Sequence, residues 1–349
     1  MQGVLKVRHL RLATHKWAVA CALLLGSTQG AWADFLSSTL YYTTYNGGQN
    51  VNKVAYTYDT VTHVFTQGSG VNVASTPGAD GIIFDSTGNL LVGGQGSNGS
   101  ALVHRVNPVS GAFTSVTANA ANGAYHMTLD PSGNVAYATG IPGGLASIPL
   151  TPFGNGTAHT LLGSNSAITS MAFNGAGTGV YTTAGPGSSG DVGFINLATY
   201  TTTRIHTNVA GAHGLTFDPF TNTFIMFSGS TMVQFANDAT LTILATRTFN
   251  GENFDQGTVD GMGHVFVASN TGDLVFMDYS AAAGGLISDA GNTVHTQFLA
   301  FFLDDVAPLV GAGSNPLPAP AGMSLAFIGV AGLAGYSWLK RKKTQPVAC

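Results

Sequence analysis

Residues 126–139 read HMTLDPSGNVAYAT: a short strand-like run, an aspartate-led turn at Asp130, and a second, largely apolar run ending in threonine. An aspartate at such a turn accepts bonds from backbone amides a few residues on, and the glycine behind it supplies positive φ. The segment therefore reads as a tight strand–turn–strand unit. The same pattern returns in GIIFDSTGNLLVGG from Gly81, SMAFNGAGTGVYTT from Ser170, GLTFDPFTNTFIMF from Gly214 and GTVDGMGHVFVAS from Gly257. The turn residues Asp85, Asp130, Asn174, Asp218 and Asp260 lie 45, 44, 44 and 42 residues apart. Their side-chain oxygens are read as turn formers.

A third alternating strand follows each pair, as in Leu102 to Val106, Val192 to Asn196 and Leu274 to Asp278. Thr- or Ser-rich fourth strands follow at Thr199 to His206 and Leu241 to Thr248. Four antiparallel strands every 40 to 45 residues make the blade of a β-propeller. One period before Asp85, the stretch Thr39 to Tyr45 aligns with a second strand, so the N-terminal blade lacks its innermost one. One period after Asp260 lands on Asp304, and QFLAFFL (Gln297 to Leu303) is expected to supply the missing strand and close the ring. The expectation is an all-β, six-bladed propeller over 34–310, in preference to five or seven blades, with no helix of useful length.

Composition narrows the function. The chain carries 12 Lys and Arg against 16 Asp and Glu, but eight of the basic residues lie in the two ends. Between Asp34 and Pro316 only Lys53, Arg105, Arg204 and Arg247 face all sixteen acids, a net charge of −12. Nucleic-acid binding needs a basic footprint, and this is the reverse. Such a surface suits solubility outside the cell and attracts cations. Both cysteines, Cys21 and Cys349, fall in the ends, so the body has no disulfide and must rest on its core.

The ends are addresses. Lys6, Arg8, Arg11 and Lys16 precede the apolar run Trp17 to Leu25 and the small-residue site Ala31-Trp32-Ala33, the order of a signal peptide (1–33) cut by signal peptidase after Ala33. At the other end a Gly/Pro linker (311–320) leads to 19 uncharged residues, Ala321 to Leu339. As a helix these reach about 28 Å, enough to cross a bilayer. The basic tail (340–349) opens with Lys340, Arg341, Lys342 and Lys343, which places it in the cytoplasm and the body outside. A Pro motif, an apolar helix and a basic cluster in this order resemble the PEP-CTERM sorting signal, here Pro318-Ala319-Pro320, 321–339 and Lys340 to Lys343. The resemblance implies an exosortase-type transpeptidase as partner, a Gram-negative envelope and an association with exopolysaccharide or biofilm. Ala319 stands where that family usually has Glu, and six residues trail the basic cluster. The alternative is a plain membrane anchor.

The strand–Asp–turn–Gly–strand pattern of Gly81 to Asp304 is similar to the NHL, SMP-30 and virginiamycin-lyase-like propellers. Propellers bind ligands where their innermost strands begin. Four or five residues ahead of the turn residues stand Asp80, His126, His213 and Asp255, from four blades. Two imidazoles and two carboxylates on an axis could hold Ca2+ or another divalent ion, or serve as acid and base. The set is not uniform, however: Tyr125 and Thr169 occupy the matching positions of their blades, and His126 is one place out of register. No cofactor is assigned. The lactonase-type resemblance implies a Glu ligand, and Glu252 is the only glutamate, just ahead of an inner strand. The leading reading is a non-enzymatic surface or matrix propeller, held by its C-terminal helix or released by processing, that binds polysaccharide or protein. The alternative is a secreted, lactonase-like hydrolase or lyase using the axial Asp and His residues.

Overall fold

The computed structural model describes residues 35–45, 50–94, 102–120, 123–140, 143–185 and 188–309. They form the six sheets of a β-propeller, antiparallel except where a short edge strand joins the fourth in parallel. Blade 1 contains β1 (Phe35–Thr44), β2 (Val51–Asp59) and β3 (Val64–Gln67), with β4 (Val71–Ala74) also paired to β2. Blade 2 is β5 (Ile82–Phe84), β6 (Leu90–Gly93), β7 (Leu102–Val106) and β8 (Phe113–Thr117). Blade 3 is β9 (His126–Leu129), β10 (Val135–Thr139), β11 (Leu145–Pro149) and β12 (Thr157–His159). The short β13 (Leu162–Gly163) joins blade 4, which holds β14 (Ser170–Phe173), β15 (Gly179–Thr182), β16 (Ser189–Asn196) and β17 (Thr201–Ala210). Blade 5 is β18 (Gly214–Asp218), β19 (Thr223–Ser228), β20 (Thr231–Ala236) and β21 (Ile243–Thr248). Blade 6 is β22 (Phe254–Val259), β23 (His264–Ser269), β24 (Asp273–Asp278) and β25 (Thr293–Phe298). The last strand, β26 (Leu303–Pro308), returns to blade 1 as its innermost strand beside β1.

Burial across each blade explains its sequence. Second strands are pressed between neighbouring blades, so β6, β15, β19 and β23 are buried at every residue. Such strands read as continuous apolar runs, as in TFIMFS and HVFVAS, rather than alternating ones. The outer strands β8 and β21 are mostly exposed. Between blades 5 and 6 the core holds Phe227, Met232, Phe254, Val265, Val267, Val275 and Met277. Each such side chain is worth about 1.5–3 kcal/mol when buried.

The turns follow the expected chemistry. Asp85 Oδ1 accepts from the amides of Thr87 and Asn89, and Asp130 Oδ1 from those of Asn134 and Val135. Asn174 Oδ1 accepts from Ala176 and Thr178, and Asp260 Oδ1 from Met262 and His264. Gly88, Gly133 and Gly177 behind them sit at φ of 81°, 70° and 84°.

The ring closes as expected in kind but not in place. Gln297 and Phe298 end β25, the outer strand of blade 6, and the closing strand is β26, further along. The link between the two strands lengthens the last repeat, so the 44-residue period falls inside the closing strand and not on its turn.

The chain divides into two compact units. Among the described residues the larger runs over 38–56 and 67–309, and the smaller over 35–37 and 57–66. In the smaller, Asp59 Oδ1 accepts from the amides of Val61 and Thr62 to turn the chain into β3. The signal peptide, linker, transmembrane helix and tail expected from the sequence lie outside the described residues. Among the described residues no helix is long and apolar enough to cross a membrane.

Candidate metal centre on the propeller axis

Five of the six inner strands deliver a polar side chain to one buried cluster made of three overlapping sets. Asp80 stands two residues ahead of β5, His126 opens β9, and His213 immediately precedes β18. Asp255 is the second residue of β22, and Asp304 and Asp305 are the second and third of β26. Relative exposure is 1% for Asp80, His126, Asp304 and Asp305, 0% for His213 and 6% for Asp255. Three overlapping sets each bring ligand atoms within 4.8 Å of one another: His126, His213 and Asp255; Asp80, His126 and Asp305; Asp80, Asp255 and Asp304. Blade 4 contributes none and has Thr169 at the matching place.

Local backbone features aim these groups. Leu303 pairs with Thr44 and Val306 with Tyr42, so Asp304 and Asp305 both stand opposite Thr43 in a β-bulge. A second bulge sets Asp255 and Gln256 between the Phe254–Ser269 and Gly257–Val267 pairs. Threonines at the ends of second strands tie one blade to the next. Thr43 donates its hydroxyl to the carbonyl of Asp80, and Thr182 donates to that of His213. Gly81 and Gly214 follow Asp80 and His213 because the neighbouring backbone leaves no room. A Cβ there would lie 2.3 Å from the Tyr125 carbonyl oxygen and 2.4 Å from that of Asp255.

The hydrogen bonds sort the ring nitrogens. His213 Nδ1 lies 2.8 Å from the Ala184 carbonyl oxygen, which can only accept, so this nitrogen carries the proton. Its Nε2 meets Asp255 Oδ1 in a short contact and His126 Nε2 at 3.2 Å. His126 Nδ1 faces Asp305 Oδ2 at 3.6 Å. Both oxygens of Asp80, Asp304 Oδ2 and Asp305 Oδ1 are buried without a hydrogen-bond partner.

Four carboxylates against two imidazoles, all out of water, strain the protonation of the set. Burial raises Asp80 well above the usual carboxylate range, and the charges of Asp255 and Asp305 add to this. Burial, then the Asp80 and Asp255 carboxylates, raise Asp304 in the same way. Asp305 is raised by burial, with His126 pulling the other way. Burial also opposes ionisation of Asp255, yet the adjoining His213 and then His126 hold it well below the usual range. Burial opposes the charge on His126, but Asp305, Asp255 and Asp80 lift its pKa to about 9. A divalent cation would resolve this excess of negative charge and satisfy the orphaned oxygens. The donors fit such an ion: imidazole nitrogen and carboxylate oxygen in one cluster.

All four axial residues singled out from the sequence meet here. The register objection to His126 disappears because it, and not Tyr125, points to the axis; Tyr125 borders the set, its phenol raised by burial and by Asp80, Asp304 and Asp255. Asp304 and Asp305 were missed as site residues because the 44-residue spacing matched Asp304 to a turn. The available signal was the apolar Val306-Ala307 after the acidic pair, as Ile82 to Phe84 follow Asp80. Glu252 stands apart, its carboxylate taking a 3.3 Å bond from the Thr271 hydroxyl, and belongs to none of the three sets. His104, His159 and His206 are held by Ser115, Ser147 and the Leu241 carbonyl. The sorting residues Pro318, Ala319, Pro320 and Lys340 to Lys343, and the cleavage residues Ala31 and Ala33, lie outside the described residues.

Fold and site together define a six-bladed β-propeller with a buried Asp/His cluster on its axis. No protein-family model matches the chain, and no curated protein matches it in sequence. Among solved structures it is similar to a chain of a nidogen/laminin complex, with a TM-score of 0.57 at 10% identity over 79% of this chain and 99% of that one. It also matches a protein of unknown function from Bacteroides thetaiotaomicron, with a TM-score of 0.47 at 11% identity over 74% and 78%. The likeness to the first is one of fold alone.

Proposed function

We propose that this protein is an exported, surface-held β-propeller that works as a binding module and carries a divalent cation as a pin through its axis. The observation that carries the cation is the set of orphaned, buried carboxylate oxygens on Asp80, Asp304 and Asp305. A cation held by any one of the three sets would join three blades where the inner strands converge. The closed surroundings favour a structural over a catalytic ion, since catalytic sites keep a coordination position open to substrate. Here no cluster residue exceeds 6% exposure.

The surface assignment rests on the sequence of the two ends, and the exit of the chain is compatible with it. Leu309 is bonded to Thr39 and Ser38 at the end of β26 away from Asp304 and Asp305. Leu309 lies four residue steps beyond Asp305, roughly 13 Å along the strand direction. A C-terminal anchor would therefore hold the face beyond Leu309 toward the membrane and turn the opposite rim outward, where polysaccharide or protein could bind.

Elemental analysis of the purified full chain tests the cation: one divalent ion per chain is expected, with chelator lowering the melting temperature. No bound metal and an unchanged melt would remove it. Mass spectrometry of the mature protein tests the address. Loss of 1–33 and a C-terminus upstream of the basic cluster are expected, and a mature form ending at Cys349 would refute processing.

A further inference from the structure

The two histidines of the cluster are not equivalent to its aspartates, and their orientation narrows the ion. Resting on the cation reading above, we infer that the axial ion is a borderline transition metal such as Zn2+ or Co2+, bound by His126 Nε2, His213 Nε2 and Asp255, with Asp305 as the residue that positions His126.

A neutral imidazole has one lone pair. In His213 the Ala184 carbonyl takes the Nδ1 proton, which leaves the lone pair on Nε2. That Nε2 points at Asp255 Oδ1 and at His126 Nε2, 3.2 Å away. Two ligands each about 2.1 Å from one metal lie about 3.0–3.4 Å apart at right or tetrahedral angles. The spacing of the two nitrogens fits a shared ion, and Asp255 Oδ1, in direct contact with His213 Nε2, would draw back to admit it.

His126 could serve either of two sets, since it belongs with His213 and Asp255 and also with Asp80 and Asp305. It cannot serve both, because one lone pair goes to one ion. Asp305 Oδ2 faces Nδ1 at 3.6 Å, on the side of the ring away from His213. At 3.6 Å the pair is an electrostatic contact and not a hydrogen bond. A carboxylate on that side still favours the proton on Nδ1 and so the lone pair on Nε2, the side outer carboxylates take behind metal-bound histidines. Ala184 fixes the His213 tautomer by a hydrogen bond, and Asp305 biases that of His126 by its charge. Calcium and magnesium prefer oxygen and gain little from nitrogen donors, whereas imidazole suits the transition ions. Asp80 and Asp304 supply further carboxylates beside Asp255.

The test uses the full chain purified without a histidine tag, stripped with chelator and titrated with Co2+, Zn2+, Ca2+ or Mg2+. Co2+ should bind with visible absorption of a nitrogen-containing shell, and a hundredfold excess of Ca2+ or Mg2+ should not displace it. His213→Gln should abolish that absorption. Asp305→Asn should keep it and weaken Co2+ binding about 10- to 100-fold. Equal or tighter binding of Ca2+, measured on the wild-type chain alone, would overturn the transition-metal assignment and leave the cation reading standing. Unchanged Co2+ affinity in Asp305→Asn would overturn the positioning role. Failure of all four ions to bind would overturn this inference together with the cation reading beneath it.

Discussion

His213 donates its Nδ1 proton to the carbonyl oxygen of Ala184 at 2.8 Å, and that one bond fixes what the rest of the axial cluster can do. With the proton held there, the other nitrogen meets Asp255 and His126 as an acceptor among acceptors. A positive charge between them, carried by a proton or a metal ion, is the electrostatic requirement of the site.

The position of His213 is set from the preceding blade by Thr182, whose hydroxyl donates to the His213 carbonyl. Thr182→Val keeps the shape and removes the bond. It is expected to cost about 1 kcal/mol in urea unfolding and to weaken cation binding. A variant with wild-type binding would show that the imidazole is placed by packing alone.

Gly214 sits against blade 6, where a Cβ would lie 2.2 Å from Gln256 Oε1 and 2.4 Å from the Asp255 carbonyl oxygen. The backbone cannot yield without moving Asp255. Gly214→Ala should therefore destabilise by about 1–3 kcal/mol and weaken cation binding, read by melting and by cation titration. Unchanged stability would mean that the two blades have slack at the axis.

The turn aspartates provide the contrast. Asp130 accepts from the amides of Asn134 and Val135 at 2.9 and 2.8 Å, far along the blade from the cluster. Asp130→Ala should cost about 1 kcal/mol of stability and leave the cation affinity unchanged. A loss of affinity would contradict the division of the aspartates into turn formers and ligands.

A buried histidine outside the cluster gives the fold a pH dependence of its own. His264 Nδ1 lies 2.6 Å from Asp260 Oδ2, and its Nε2 is 3.7 Å from Asp278 Oδ1. Burial opposes its charge, but Asp260 and then Asp278 raise its pKa. A raised folded-state pKa contributes stability in full below the unfolded value of about 6.5, and the contribution is lost as pH rises through the folded value. The stability difference between wild type and His264→Gln should be largest below about pH 6.5 and shrink at alkaline pH. A difference independent of pH would show that the imidazole acts by shape.

The fold was legible because its signals are local and repeated. An Asx turn and a doubly buried second strand leave the same residues in each blade, as Asp85, Asp130 and Asn174 and the runs LLVG, VAYAT and GVYT show. Asp80, His213 and Asp255 were legible by their distance from those turns. Asp304 and Asp305 were not, because their places depend on a bulge opposite Thr43 and on a link that breaks the period. No sequence period carries that information. The convergence of His126 with His213 likewise depends on ring closure, which brings residues 87 apart to 3.2 Å.

The most direct measurement is the stability of Asp80→Asn against wild type, in chelator and in saturating cation. Both Asp80 oxygens are buried without a partner, so an uncompensated carboxylate there costs on the order of 1–3 kcal/mol. With chelator the variant should melt above wild type, because the charge that burial disfavours has gone. With cation it should melt below wild type, because a carboxylate that balances the ion's charge beside Asp255 has gone. That reversal of sign is the result expected of a cation-pinned axis; a substitution that shifts the melt in the same direction under both conditions would contradict it.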